Sequence, residues 1–195
     1  MRRALAILPM LGLAAAGLAA CGGGGHQAAS VKDRKPPAGY ALYADQHASF
    51  FYPTGWKVSK KADGQGGTVV DVIGPTDAKG LAPEVALGET PNYTSSFNQA
   101  LQLNELNAKV RFAHRQVLSR KPMPVPGAAN ARVTIAQYGE SGPSNQFVPP
   151  VPVRTLDLVA LSTQRTAVNL FVRSPLADLP KAPLTAIMRS LEMAS

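Results

Sequence analysis

The sequence predicts an α+β fold, an antiparallel β-sheet flanked by helices. Three observations carry that prediction. Six of the twelve aromatic residues fall between Tyr40 and Trp56, in short runs split by turn residues. Apolar residues alternate with polar ones in several later runs, as in half-buried strands. Two segments, one after Ser95-Ser96 and one at the carboxyl end, change to a helical period.

Taken in order, Tyr40–Tyr43 and His47–Tyr52 form a hairpin around Asp45-Gln46. Pro53-Thr54-Gly55 is a turn, because proline fixes φ and glycine frees it. Trp56-Lys57-Val58-Ser59 opens a third strand. Thr68–Ile73 and Glu84–Glu89 are the next two, separated by the loops around Gly74-Pro75 and Gly80–Pro83. Ser95 or Ser96 caps a helix whose apolar face is expected to hold Phe97, Ala100, Leu101, Leu106 and Val110. Val117 and Leu118 belong to a strand that ends by Pro122. In the strand around residues 131–136, Ala131, Val133 and Ile135 face inward and Arg132, Thr134 and Ala136 outward. Gly139–Pro152 is a proline-rich loop. Arg154–Ser162 and Thr166–Arg173 form a long hairpin with Val168, Leu170 and Val172 on one face. Leu184, Ile187, Met188 and Leu191 follow the i, i+3, i+4, i+7 pattern of an amphipathic helix with Pro183 near its start.

The first 20 residues read as a targeting segment. Met1-Arg2-Arg3 is a positive start, and Ala4 to Ala20 carries no charge. It ends in Leu18-Ala19-Ala20-Cys21, and Cys21 is the single cysteine of the chain. Small residues before a lone cysteine resemble the lipobox of bacterial lipoproteins. The resemblance implies diacylglycerol on Cys21, cleavage before it, acylation of the new amino terminus, and anchorage on the extracytoplasmic face of the cell membrane. Residues 21–38, beginning with four glycines, are a flexible tether. Lys32, Arg34 and Lys35 are read as its solvated, mildly basic end. Residues 39–195 are one domain, long enough for a real core.

The opening Tyr43-Ala44-Asp45 … Phe50-Phe51-Tyr52-Pro53-Thr54-Gly55-Trp56 resembles that of the PsbP/Mog1-like superfamily. So does Ile187-Met188-Arg189-Ser190-Leu191 after a strand hairpin. With the lipobox and the Ala-, Gly- and Pro-rich composition, the chain is similar to the actinobacterial LpqN/LpqT-type lipoproteins. The resemblance implies an α/β/α sandwich, transfers no catalytic residue, and implies work by binding partners.

Chemistry-bearing motifs are sparse. Gly139-Glu140-Ser141-Gly142-Pro143 lacks the last glycine of a nucleophile elbow. Gly64-Gln65-Gly66-Gly67 fails the dinucleotide fingerprint. His47 and His114 have no partner at ligand spacing, so neither a metal nor a cofactor is expected. Asp71 and Asp157, each inside an apolar run, are expected to point outward on the polar side of their strands.

Two features are candidate contacts. The stretch Lys109–Lys121 carries Lys109, Arg111, Arg115, Arg120 and Lys121 with no acid between them, within a chain of net charge +8. It is a candidate anion-binding site for anionic lipid or wall polymer, while the implied compartment disfavours nucleic acid. The loop before Pro149 carries Phe147 and Val148, a candidate contact for an envelope protein. The leading expectation is a non-catalytic, membrane-anchored protein that binds or scaffolds an envelope component. The alternative is a carrier with an apolar pocket between sheet and helix, and the remote one is an envelope hydrolase. Replacement of Cys21 by Ser is expected to release the protein from the membrane fraction, and retention would contradict the lipobox reading.

Overall fold

The computed structural model describes residues 33–62, 67–112, 114–141, 149–179 and 182–194. The signal segment, Cys21, Phe147 and Val148 lie outside the described residues.

Seven strands form one antiparallel sheet: β3 (Lys57–Ala62), β4 (Thr68–Ile73), β5 (Glu84–Thr90), β6 (Gln116–Pro122), β7 (Ala128–Glu140), β8 (Val151–Ser162) and β9 (Ala167–Pro175). Their order across the sheet is β3-β4-β5-β9-β8-β7-β6. A second sheet of three strands, β1 (Tyr40–Ala44), β2 (Ala48–Pro53) and the two-residue β10 (Glu192–Met193), runs β1-β2-β10. The opening hairpin and the strand after Trp56 belong to different sheets that share one core, separated by the turn at Pro53–Gly55 with Gly55 at φ +90°.

The main sheet is covered on both faces. Strand alternation puts Leu156, Leu158, Val168, Leu170 and Val172 on one face. The second sheet and helix α2 (Leu184–Arg189) lie there, and Phe50, Leu87, Ile187, Met188 and Leu191 close the core with them. Among the described residues that core draws on positions from Tyr43 to Met193. β10 is seated by Met193 N–H donating to Pro126 O at 2.9 Å and Ala194 N–H to His47 O at 2.8 Å. A Cβ on Gly127, which sits at φ +78°, would collide with the Met193 carbonyl, so only glycine lets this strand close.

Helix α1 (Phe97–Arg111) covers the opposite face. Its start is a capping box: Ser96 Oγ accepts from Gln99 N–H at 3.2 Å, and Gln99 Oε1 accepts from Ser96 N–H at 2.8 Å. The expected apolar face packs only in part. Ala100, as expected, and Ala108 are buried and Phe97 and Leu101 are half-buried, whereas Leu106 and Val110, expected to pack, are 58% and 79% exposed and Leu103 is 54% exposed. Leu106 is two and a half turns from Phe97, which places it on the opposite side of the helix. At the end of α1, Phe112 packs on Tyr138 (centroids 4.5 Å apart) and stacks on Phe171 (5.4 Å). This helix also buries Thr134 and Ala136, which were expected to face solvent.

What α1 turns inward is polar. Asp157, expected to point outward, is 2% exposed on the central strand β8. Asn104 Nδ2 on α1 donates to its Oδ2 at 2.8 Å, and Asn169 Nδ2 on β9 donates to its Oδ1 at 2.7 Å. The Arg115 guanidinium, with its side chain also 2% exposed, lies 3.7 Å from Asp157 Oδ2 and 3.2 Å from Glu105 Oε2. Burial pushes the Asp157 carboxyl up, against the pull of Asn169, Asn104 and Arg115. Replacing one partner strands the other's charge in the interior. Asp157→Leu is expected to cost about 3–5 kcal/mol in chemical denaturation, and the double replacement with Arg115→Met distinctly less. An unchanged midpoint in the single variant would refute the pairing.

Candidate functional site

The basic stretch is divided by the fold. Arg115 turns into the polar layer and is unavailable to a solution anion. Arg120 stays half-exposed but pairs with Glu105 Oε1 at 3.2 Å. Partial burial opposes the charge on Glu105, yet Arg115 and Arg120 outweigh it and hold the carboxyl below its ordinary value. A stretch without internal acid is thus partly neutralised by an acid one helical turn upstream. Lys109 and Arg111 end α1, where cations suit the helix dipole. Lys121 lies on β6, the outer strand of the sheet.

Lys121 lines a cleft of about 710 Å³ between α2 and the face of β6–β8. Its walls are apolar and include Met123, Val133, Ile135, Leu156 and Met188, while Lys121 and Arg189 bring positive charge to it. Arg189 belongs to no cluster in the sequence, so its convergence with Lys121 is a product of the fold. The apolar walls follow from geometry: β7 and β8 carry their inward residues past the end of the short α2, which leaves part of that face uncovered. A volume in the 300–1,000 Å³ range accommodates a small ligand or one acyl chain.

Arg34 was placed in the tether, but it is docked on the domain beside this region. Its Nη1 donates to Ser190 O at 2.7 Å and Ser49 Oγ at 2.9 Å, its Nε pairs with Glu192 at 3.0 Å, and its guanidinium covers the Phe51 ring. The chain therefore joins the domain next to α2, one residue from Arg189.

A second, polar cleft of about 540 Å³ contains Asp45, His47, Lys60 and Glu89. Asp45 Oδ1 accepts from His47 and Ala48 N–H, and Oδ2 from Tyr43 Oη at 2.7 Å and Lys60 Nζ at 3.4 Å. Burial favours its neutral form, but the His47 backbone and the Tyr43 hydroxyl prevail and hold it at about 2. Glu89 is 4% exposed; burial, then the hydrogen bond to Asp45 and its charge, push Glu89 up to about 8. The pair holds one proton and ties the β1–β2 turn to β5. Both Asp45 oxygens are engaged, and the pair is a joint between the sheets. Asp71, as expected, lies on an outer side, paired with Lys61 at 2.9 Å. Among the described residues no group of three or more His, Cys, Asp or Glu could hold a metal ion, and no helix is long and apolar enough to cross a membrane.

An unfolded Glu89 releases its proton near 4.5 and the folded one near 8. Between those values the folded state holds more protons, so this group's contribution to stability falls as pH rises and levels off above about 8. Asp45 works oppositely, its contribution being lost as pH falls towards about 2. Glu89→Gln is expected to be more stable than the parent at pH 8 by about 1–3 kcal/mol, with little gain near pH 4.5. Equal pH slopes for the two proteins would refute the shared proton.

No known family model matches the chain, and no characterised protein matches it in sequence. Solved structures that resemble it include the following two. One is a protein of unknown function, PA94 from Pseudomonas aeruginosa, with TM-score 0.44 and 12% identity over 73% of this chain and 87% of that one. That degree of likeness carries no argument. The other is LpqN of Mycobacterium tuberculosis, described as involved in cell envelope biogenesis, with TM-score 0.54 and 11% identity over 80% of this chain and 91% of that one. At 11% identity the likeness concerns the fold: this chain has an LpqN-like α+β architecture.

Proposed function

We propose that this chain is a membrane-anchored, non-catalytic protein of the bacterial cell envelope that binds amphiphiles with an anionic head in the cleft beneath α2. The observation that carries the reading is the cleft itself: about 710 Å³, apolar walls, and Lys121 and Arg189 beside them. Apolar burial supplies the affinity, at about 0.8 kcal/mol per methylene. The two cations select the head, because a charged group leaving water needs a partner. The LpqN-like fold and the lipobox-like sequence ending at Cys21 support an envelope setting. The route of the chain adds to this, since Arg34 brings the tether onto the domain beside α2, so the cleft lies near the point from which the anchor departs.

Native mass spectrometry after incubation with phosphatidylglycerol vesicles tests this reading. One lipid per chain is expected on the parent protein. Lys121→Glu with Arg189→Glu should cut occupancy by roughly ten-fold or more, since each pairing lost at a desolvated head is worth over a kcal/mol. Ile135→Trp, which fills the cleft, should abolish it. A parent protein that stays unliganded, or Ile135→Trp binding as well as the parent, would contradict the proposal.

A further inference from the structure

Among the described residues nothing covers the outward face of α1, and it is the wrong face to leave in water. Leu103, Leu106 and Val110 are spaced i, i+3, i+7 and stand out together. Isolated exposed apolar residues are ordinary, but a stripe along one helix marks a contact surface. The polar positions beside it, Gln99, Gln102, Asn107 and Lys109, include no acid. Between α1 and the sheet edge lies a groove of about 390 Å³ where Lys109, Arg120 and Arg132 surround Leu101 and Leu106. Its one acid, Glu105, is consumed by Arg115 and Arg120.

The opposite edge of the sheet shows how the fold treats cations that merely protect a strand. There Lys60 pairs with Asp45 and Lys61 with Asp71, while Lys57 has no ion pair among the described residues. Lysines on an outer strand hinder edge-to-edge pairing without any ligand. The β6 end differs: Lys109, Arg111, Lys121 and Arg132 have no ion pair among the described residues, and the apolar stripe lies alongside them.

We infer that the outer face of α1, with the cations of the β6 edge, is a docking surface for an anionic lipid bilayer. The apolar stripe enters the boundary between headgroups and acyl chains, and Lys109, Arg111 and Arg132 meet the phosphates. This is the combination by which a helix lies in a membrane interface without crossing it. A net cationic rim whose acid, Glu105, is already paired fits lipid phosphate, and it would repel a second copy of itself. The inference stands independently of whether the cleft beneath α2 is loaded.

The test is vesicle flotation of the chain from residue 21 onward with Cys21→Ser, which retains the whole core. The vesicles are phosphatidylcholine with or without phosphatidylglycerol. The protein is expected to float with the anionic vesicles only, and less as salt rises. Leu103→Gln/Leu106→Gln/Val110→Gln keeps the inward Asn104 and Glu105 and should bind roughly five-fold less or weaker. Lys109→Glu/Arg132→Glu should fall by roughly as much. Ile135→Trp should float like the parent, which separates this surface from the cleft. Three results would overturn the inference: equal flotation with neutral vesicles, triple-variant binding equal to the parent, or a parent dimer that the triple variant converts to monomer without loss of flotation. Far-ultraviolet circular dichroism of each variant confirms that it is folded.

Discussion

A carboxylate in the middle of a sheet is the constraint from which much of this molecule follows. Asp157 sits on β8, the longest-paired strand after β7, where water cannot reach it. An unpaired charge there would cost several kcal/mol. The chain meets the demand with Asn169 from the next strand and Asn104 and Arg115 from α1 and the segment after it. To deliver Asn104 and admit Arg115, α1 must lie with its polar side down. Its small residues, Ala100 and Ala108, permit close approach, and the aromatic group of Phe112, Tyr138 and Phe171 secures its end. Leu103, Leu106 and Val110 are then carried outward by the same rotation.

The other face of the sheet is assembled by ordinary apolar burial. Leu158, Leu170 and Val172 meet Ile187, Met188 and Phe50, and the two-residue β10 closes the small sheet over them. Because α2 is only six residues long, it does not reach across β6–β8, and the uncovered part of the face is the cleft. The two faces thus present different surfaces near one sheet edge: an apolar cleft with two cations on one side, an exposed apolar stripe with cations on the other. β6 contributes Lys121 to the cleft and Arg120 to the groove beside α1, as alternation along a strand requires.

Local pattern made much of the architecture legible. Thr68–Ile73 matches β4 to the residue, the Ser96 cap and the Val168-Leu170-Val172 face are as expected, and the LpqN-like resemblance agrees in fold. What depends on distant pairing was not legible. Apolar spacing in α1 suggests amphipathicity but does not say which side the sheet will need, and the need comes from Asp157, fifty-three residues on from Asn104. Arg115 looks like one of five equivalent cations until Glu105 and Asp157 are brought to it. Arg132 and Arg189 are isolated in sequence and join Lys109 and Lys121 only in space. Arg34 looks like linker because its partners, Ser49, Ser190 and Glu192, come from both ends of the chain. The one signal that could have exposed the polar layer was the pair Asp157 and Asn169, diagonal neighbours on one face of a largely apolar hairpin, where Asp157 faces Phe171 and Asn169 faces Val159.

The orientation of α1 is the central claim, and cysteine accessibility measures it directly. With Cys21 replaced by Ser, single cysteines at 103, 106 and 110 should react with a water-soluble maleimide at close to the rate of the unfolded chain. Cysteines at 100 and 108 should be protected until the protein is denatured. The reverse pattern, with 106 and 110 protected and 100 and 108 reactive, would mean that α1 packs by its leucines and that the polar layer beneath it does not exist.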